Sequence, residues 1–160
     1  MNKALEKIDG LLKQFELFVM FLAGVMLFGL VVLTVTCRYL LKIPTPFDTE
    51  LARTFHIWLA FIGSSYLVSK DGHPAVEFIS SKVSTSSNRT FKIFYFSIIY
   101  FIMLLFIVPA FVTGLRLMPL YAKQVTNYLS MPYSIIYGGG ILGLFLMIVR
   151  CLMKITGLWG

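Results

Sequence analysis

The chain has 160 residues, of which 58% are apolar and 13% charged, and its net charge is +7. Ordinary soluble domains run about 45–50% apolar and about 25% charged. A soluble fold of this size cannot hide so much apolar surface, so the solvent of this chain is lipid. The basic balance does not point to nucleic acid, because the charges sit between long apolar runs, where Lys and Arg hold loops at the cytoplasmic side and meet anionic lipid.

Residues 1–16 carry Lys3, Glu6, Lys7, Asp9, Lys13 and Glu16, with Leu5, Ile8, Leu11, Leu12 and Phe15 at helical spacing between them. This pattern predicts a short amphipathic helix at the interface that runs into the first span. Leu17 to Cys37 is uncharged for 21 residues, longer than the roughly 7–15 of a signal-peptide core. No small-residue cleavage site follows, so the segment is expected to be a retained first span over about residues 15–37.

The first outer loop, from Arg38 to Arg53, joins spans one and two and carries Arg38, Lys42, Asp48, Glu50 and Arg53. Asp48 is expected to be a helix N-cap, and Glu50 falls in the first turn, where the helix dipole favours an acid. Glu50 and Arg53 are three apart and are expected to pair on one helix face. Arg38, Asp48, Glu50 and Arg53 are therefore the candidate partner-binding rim. A second span is predicted over about 51–69, uncharged from Thr54 to Ser69 apart from His56.

Asp71-Gly72-His73-Pro74 reads as a turn before a new helix. Val76, Ile79 and Val83 then give a short interfacial helix, and Ser80 to Thr90 a polar connection. The third span is predicted over about 93–115, with 23 uncharged residues from Ile93 to Leu115. An outer loop over 116–132 contains Pro119, and Pro132 begins the fourth span, about 132–149, which ends at Arg150. That span carries Gly138, Gly139, Gly140 and Gly143. Gly139 and Gly143 form a small-xxx-small pair that lets another helix approach closely.

The expected fold class is thus all-α, a single membrane domain over 1–160 with four transmembrane helices. Nine of the basic residues fall with the two termini and the loop between spans two and three, and five fall on the other side. Positive-inside places both termini in the cytoplasm.

Catalytic, cofactor and metal sites are not expected. Cys37 and Cys151 form no C-x-x-C pair and should lie at opposite faces of the membrane. His56 and His73 are likewise separated, so they cannot share a haem or a metal. A self-sufficient proton-coupled carrier would need an acid within a span. Glu16 comes nearest, and it reads as an interfacial charge beside Lys13.

Arg38-Tyr39, then Pro46, then Glu50-Leu51-Ala52-Arg53, Trp58, Gly63 and Asp71-Gly72-His73 with Val76 stand in an order that resembles the small membrane (Q-type) subunit of TRAP transporters, the tripartite ATP-independent periplasmic transporters. Residues 38–79 carry the resemblance. The sequence departs from the family pattern at Phe47, where Trp is common, and at Thr49, where an acid is usual.

The resemblance implies a non-catalytic subunit of a sodium-driven uptake system in a bacterial inner membrane. Its partners would be a large elevator-type membrane subunit that holds the substrate and sodium sites, a periplasmic substrate-binding protein, and membrane lipid. It implies a scaffold role, docking of the binding protein at the outer rim, and an organic acid such as a C4-dicarboxylate or sialic acid as the substrate. The alternatives are a small four-span transporter acting alone, or a membrane assembly factor.

Overall fold

The computed structural model describes residues 3–70 and 89–159. Four helices account for nearly all of them: α1 Lys3–Val35, α2 Asp48–Ser69, α3 Arg89–Lys123 and α4 Tyr133–Trp159. Beyond α1 the chain stays wound as a π-helix, Thr36–Leu41, which ends at Lys42 in the left-handed region, φ 55°. No strand occurs among the described residues. A single antiparallel bridge joins Val125 to Pro132.

Three helical segments are long and apolar enough to cross a membrane: Lys7–Leu41, Phe96–Lys123 and Tyr133–Thr156. Helix α2 falls below them in hydropathy because it carries Arg53, His56, Ser64, Ser65 and Ser69. Its position explains the tolerance. It is an inner helix, packed on α1 on one side and α4 on the other, while α3 packs on the far side of α4. Thr54, Ser65 and Ser69 are buried between neighbours and find helix carbonyls or Glu16 as partners. By contrast α1 and α3 expose large apolar side chains, among them Phe18, Phe21, Phe28, Phe101 and Phe106. In hydrocarbon only helices satisfy their own backbone, so such surfaces suit a bilayer.

Close backbone approach holds the inner pair together. A Cβ added to Gly143 would lie 2.6 Å from the backbone of Phe61, and one added to Gly139 would lie 2.4 Å from the Trp58 ring. Trp58 occupies that space and donates from Nε1 to the Ile135 carbonyl at 3.1 Å. Gly138 and Gly140 have room, with nearest side-chain atoms at 3.8 and 3.6 Å. Toward the end of the molecule that carries the chain termini, Val68, Tyr100, Met147 and Cys151 form a buried cluster across α2, α3 and α4.

Several boundaries differ from the sequence reading. The amphipathic leader and first span are one helix, because nothing between Lys13 and Leu17 breaks it. Helix α3 begins by Arg89 and continues through Pro109 and Pro119 to Lys123, so 116–123 is helical, and the connecting loop is short. Proline lacks only one donor, and a long apolar helix absorbs that loss. Helix α4 continues past Arg150 to Trp159, since the Arg150 charge is neutralised inside the protein. The expected interfacial helix at Val76, Ile79 and Val83, the 71–74 turn and His73 lie outside the described residues.

Candidate functional site

Charged side chains gather at the two ends of the helical row. At the end shared by the start of α1 and the last turns of α4, Glu16 is fully buried and Arg150 is 1% exposed. Arg150 Nη2 lies 2.6 Å from Glu16 Oε2, and its Nε donates to Glu16 Oε1 at 3.4 Å. Ser65 of α2 donates to the same Oε1 at 2.6 Å. Arg150 Nη1 also pairs with Asp9, whose second oxygen meets Lys13 at 2.5 Å. Two carboxylates and two cations therefore balance, with a hydroxyl filling a further acceptor site.

This arrangement corrects the reading of Glu16 as an interfacial charge beside Lys13. Lys13 takes Asp9 instead, one turn away, and Glu16 turns inward to Arg150. The signal was present: Asp9, Lys13 and Glu16 recur at i, i+4 and i+7, one face of a helix. Their partner, 134 residues away, could not be read from that spacing.

The opposite end carries the rim. Arg38 is exposed and donates to Asp48 at 3.3 Å. Asp48 is not the N-cap; Phe47 takes that position without a side-chain cap, and Asp48 is the first helical residue, its Oδ1 accepting the Thr49 amide at 2.6 Å. Glu50 does not pair with Arg53. It reaches across to the loop before α4 and accepts the amides of Tyr128 and Leu129, each at 3.0 Å. A carboxylate with two free lone-pair sites binds a turn of backbone N–H groups better than one solvated cation, which leaves Arg53 exposed.

Burial of the Glu50 carboxyl would raise its pKa. The Tyr128 amide, the Thr126 hydroxyl and the Leu129 and Asn127 amides outweigh that and hold it below its ordinary value. The loop itself is braced by Thr126, which donates from its amide to the Met131 carbonyl at 2.9 Å and accepts the Met131 amide on its hydroxyl at 3.1 Å. The rim thus contains two kinds of residue. Asp48 and Glu50 are engaged within the chain, Lys42 and Arg53 present charge outward, and Arg38 does so while it shares Asp48.

Cys37 lies at the rim end and Cys151 in the buried cluster at the other, and both are free. Among the described residues, no three His, Cys, Asp or Glu side chains gather where a metal ion could sit.

Long apolar helices in a row, with charge confined to the two ends, define a helical membrane component. The family comparison is specific: the sequence profile of the tripartite ATP-independent periplasmic transporters, DctQ component, matches residues 27–160. The chain belongs to that family, the small membrane subunit of TRAP transporters. The match takes in the rim, α2, α3 and α4; Asp9, Lys13 and Glu16 precede it. A search of curated proteins gave no match.

Proposed function

We propose that the chain acts as the non-catalytic small permease subunit of a sodium-driven TRAP uptake transporter for an organic acid. It crosses a bacterial inner membrane four times, with both termini cytoplasmic. Helix α2 supplies the fourth crossing. Its residues 51–69 span about 28 Å at 1.5 Å per residue, close to a hydrocarbon core of about 30 Å, with Asp48 and Glu50 left at the rim. Lying between α1 and α4, it turns its hydroxyls toward protein and not toward lipid.

The observation that carries the scaffold reading is the use made of buried charge. Glu16 and Arg150 are consumed by each other and by Asp9 and Ser65, as a fixed brace across three helices. A carrier acting alone would keep an acid free to exchange its ion or proton. A braced row of helices with wide apolar flanks suits a part that stays still while the large subunit, which would hold the substrate and sodium sites, moves against it.

The rim is the proposed docking surface for the periplasmic binding protein. Arg53 would meet the partner, while Glu50 holds the 124–132 loop in place. Rim charges act mainly on encounter rate and are screened by salt. In vesicles containing both membrane subunits, Arg53→Glu should raise the concentration of binding protein needed for half-maximal uptake several-fold, most at low salt. Uptake unchanged at every salt concentration would remove the docking role. Co-purification tests the scaffold role separately: a tag on this chain should bring down a larger membrane protein in stable stoichiometry.

A further inference from the structure

Three depressions run end to end along the seam between α1 and α2. The outermost, about 530 Å³, is walled by residues that include Arg38, Lys42, Thr45, Asp48, Thr49 and Tyr128. The next, about 170 Å³, shares Asp48 and Thr49 with it and is otherwise lined by Leu30, Val31, Thr34, Val35 and Ala52. The third, about 290 Å³, shares Ala52 with the second and is lined also by Leu27, Arg53, His56 and Ile57.

The lining follows helical spacing on both walls: 27, 30, 31 and 34 on α1, and 49, 52, 53 and 56 on α2. One open groove therefore descends about 10 Å, two helical turns, from the charged rim. Its chemistry changes with depth. The upper part is half polar, the surface of the second depression is carbon, and the third presents the apolar parts of Arg53 and His56 beside Leu27, Ala52 and Ile57. At the mouth, Lys42 has no acidic partner among the described residues. Arg38 shares only Asp48, at 3.3 Å, and stays mostly exposed. Thr45, in the same wall, keeps a buried hydroxyl without a hydrogen-bond partner.

We infer that this groove binds one anionic phospholipid, its phosphate between Arg38 and Lys42 and one acyl chain laid along α1 and α2. Cations at the mouth of a carbon-lined groove match a phosphate joined to a hydrocarbon chain, and match neither a free anion nor an apolar helix. The attraction is the Coulomb term between a phosphate and two nearby cations, screened by salt where they are exposed. Ala52 keeps the groove continuous, because it stands where the second and third depressions meet. The inference rests on the reading that α1 and α2 both cross the bilayer.

The test uses the full chain, with the membrane partner that co-purifies, stripped of lipid in detergent. Phosphatidylglycerol and phosphatidylcholine with identical acyl chains are offered separately, and bound lipid is counted by native mass spectrometry. One phosphatidylglycerol should be retained under activation that removes phosphatidylcholine. The double variant Arg38→Gln/Lys42→Gln should lower the bound fraction about tenfold, and Ala52→Phe, which leaves the cations in place, should lower it as well. Val112→Phe on the exposed face of α3 should not. A phosphatidylglycerol with a photoreactive acyl chain should label peptides covering 27–34 and 49–57, a readout that does not depend on how the variants fold.

Equal retention of the two lipids, labelling confined to other segments, or displacement of the lipid by glycerol phosphate alone would overturn the inference. Failure of the four-span reading has a different signature. Single cysteines at the exposed α2 positions His56, Ala60 and Leu67 would then react with a water-soluble thiol reagent, whichever lipid was retained.

Discussion

Arg150 lies in the interior of a 27-residue helix whose neighbours are apolar, at a depth where an unpaired guanidinium is costly. Its three contacts to Glu16 and Asp9 remove that cost only while both acids are present. Breaking a buried pair by removing one partner typically costs about 3–5 kcal/mol, whereas replacing both by apolar residues is often neutral. Glu16→Ala should therefore destabilise the protein by about that amount in detergent unfolding. The pair Glu16→Leu/Arg150→Met should recover most of it, since Asp9 keeps Lys13. Equal losses in the single and double variants would mean that the residues matter through packing alone.

Glu50 gives a second test at this scale, through pH. Its folded pKa is depressed below the ordinary 4.5, so its contribution is fully present above that value and is lost as pH falls from there through the lower folded value. Exchange of the Tyr128 and Leu129 amides should accelerate across that window. Glu50→Gln should give fast exchange with little pH dependence of its own. The acid at position 50 was legible from sequence, and so was its place in the first turn of a helix. Its partner was not, because the bond spans 78 residues and depends on how α2 and α4 cross.

At the scale of elements, the four helices were readable from their uncharged runs, three of them from hydropathy alone, and their ends were not. A charge seemed to end the fourth run at Arg150 because the partner of that charge lies elsewhere in the chain. The charge of Arg116 likewise set the end of the third at Leu115, yet that helix runs on through Pro119 to Lys123, since a long apolar helix absorbs the donor a proline lacks. The glycine row shows what position adds to composition. Gly143→Ala would place a Cβ 2.6 Å from the Phe61 backbone. The overpacking should cost about 1–3 kcal/mol. Gly140→Ala meets nothing nearer than 3.6 Å and should stabilise the helix by up to about 1 kcal/mol. Paired thermal unfolding of the two variants reads the difference, and equal shifts would show that α2 and α4 do not pack so closely in the bilayer.

For the whole molecule, the row α1–α2–α4–α3 places both termini at one end and the rim at the other, joined by the brace at one end and the Glu50 clasp at the other. The all-helical class and family membership were legible because long uncharged runs and an ordered set of rim residues survive in one dimension. The order of the helices was not, since it depends on which polar faces meet, as Ser65 meets Glu16. Cysteines introduced at Lys42 and Lys70, on either side of α2, should be labelled from opposite sides of inner-membrane vesicles if the chain crosses four times.

The most direct test is sodium-driven uptake of a family substrate into proteoliposomes. This chain alone should move no solute. Uptake should appear only when the large subunit and binding protein are supplied with it, and should fall when Glu16→Ala breaks the brace. Uptake by this chain alone, down a sodium or proton gradient, would contradict the assignment as a stationary partner.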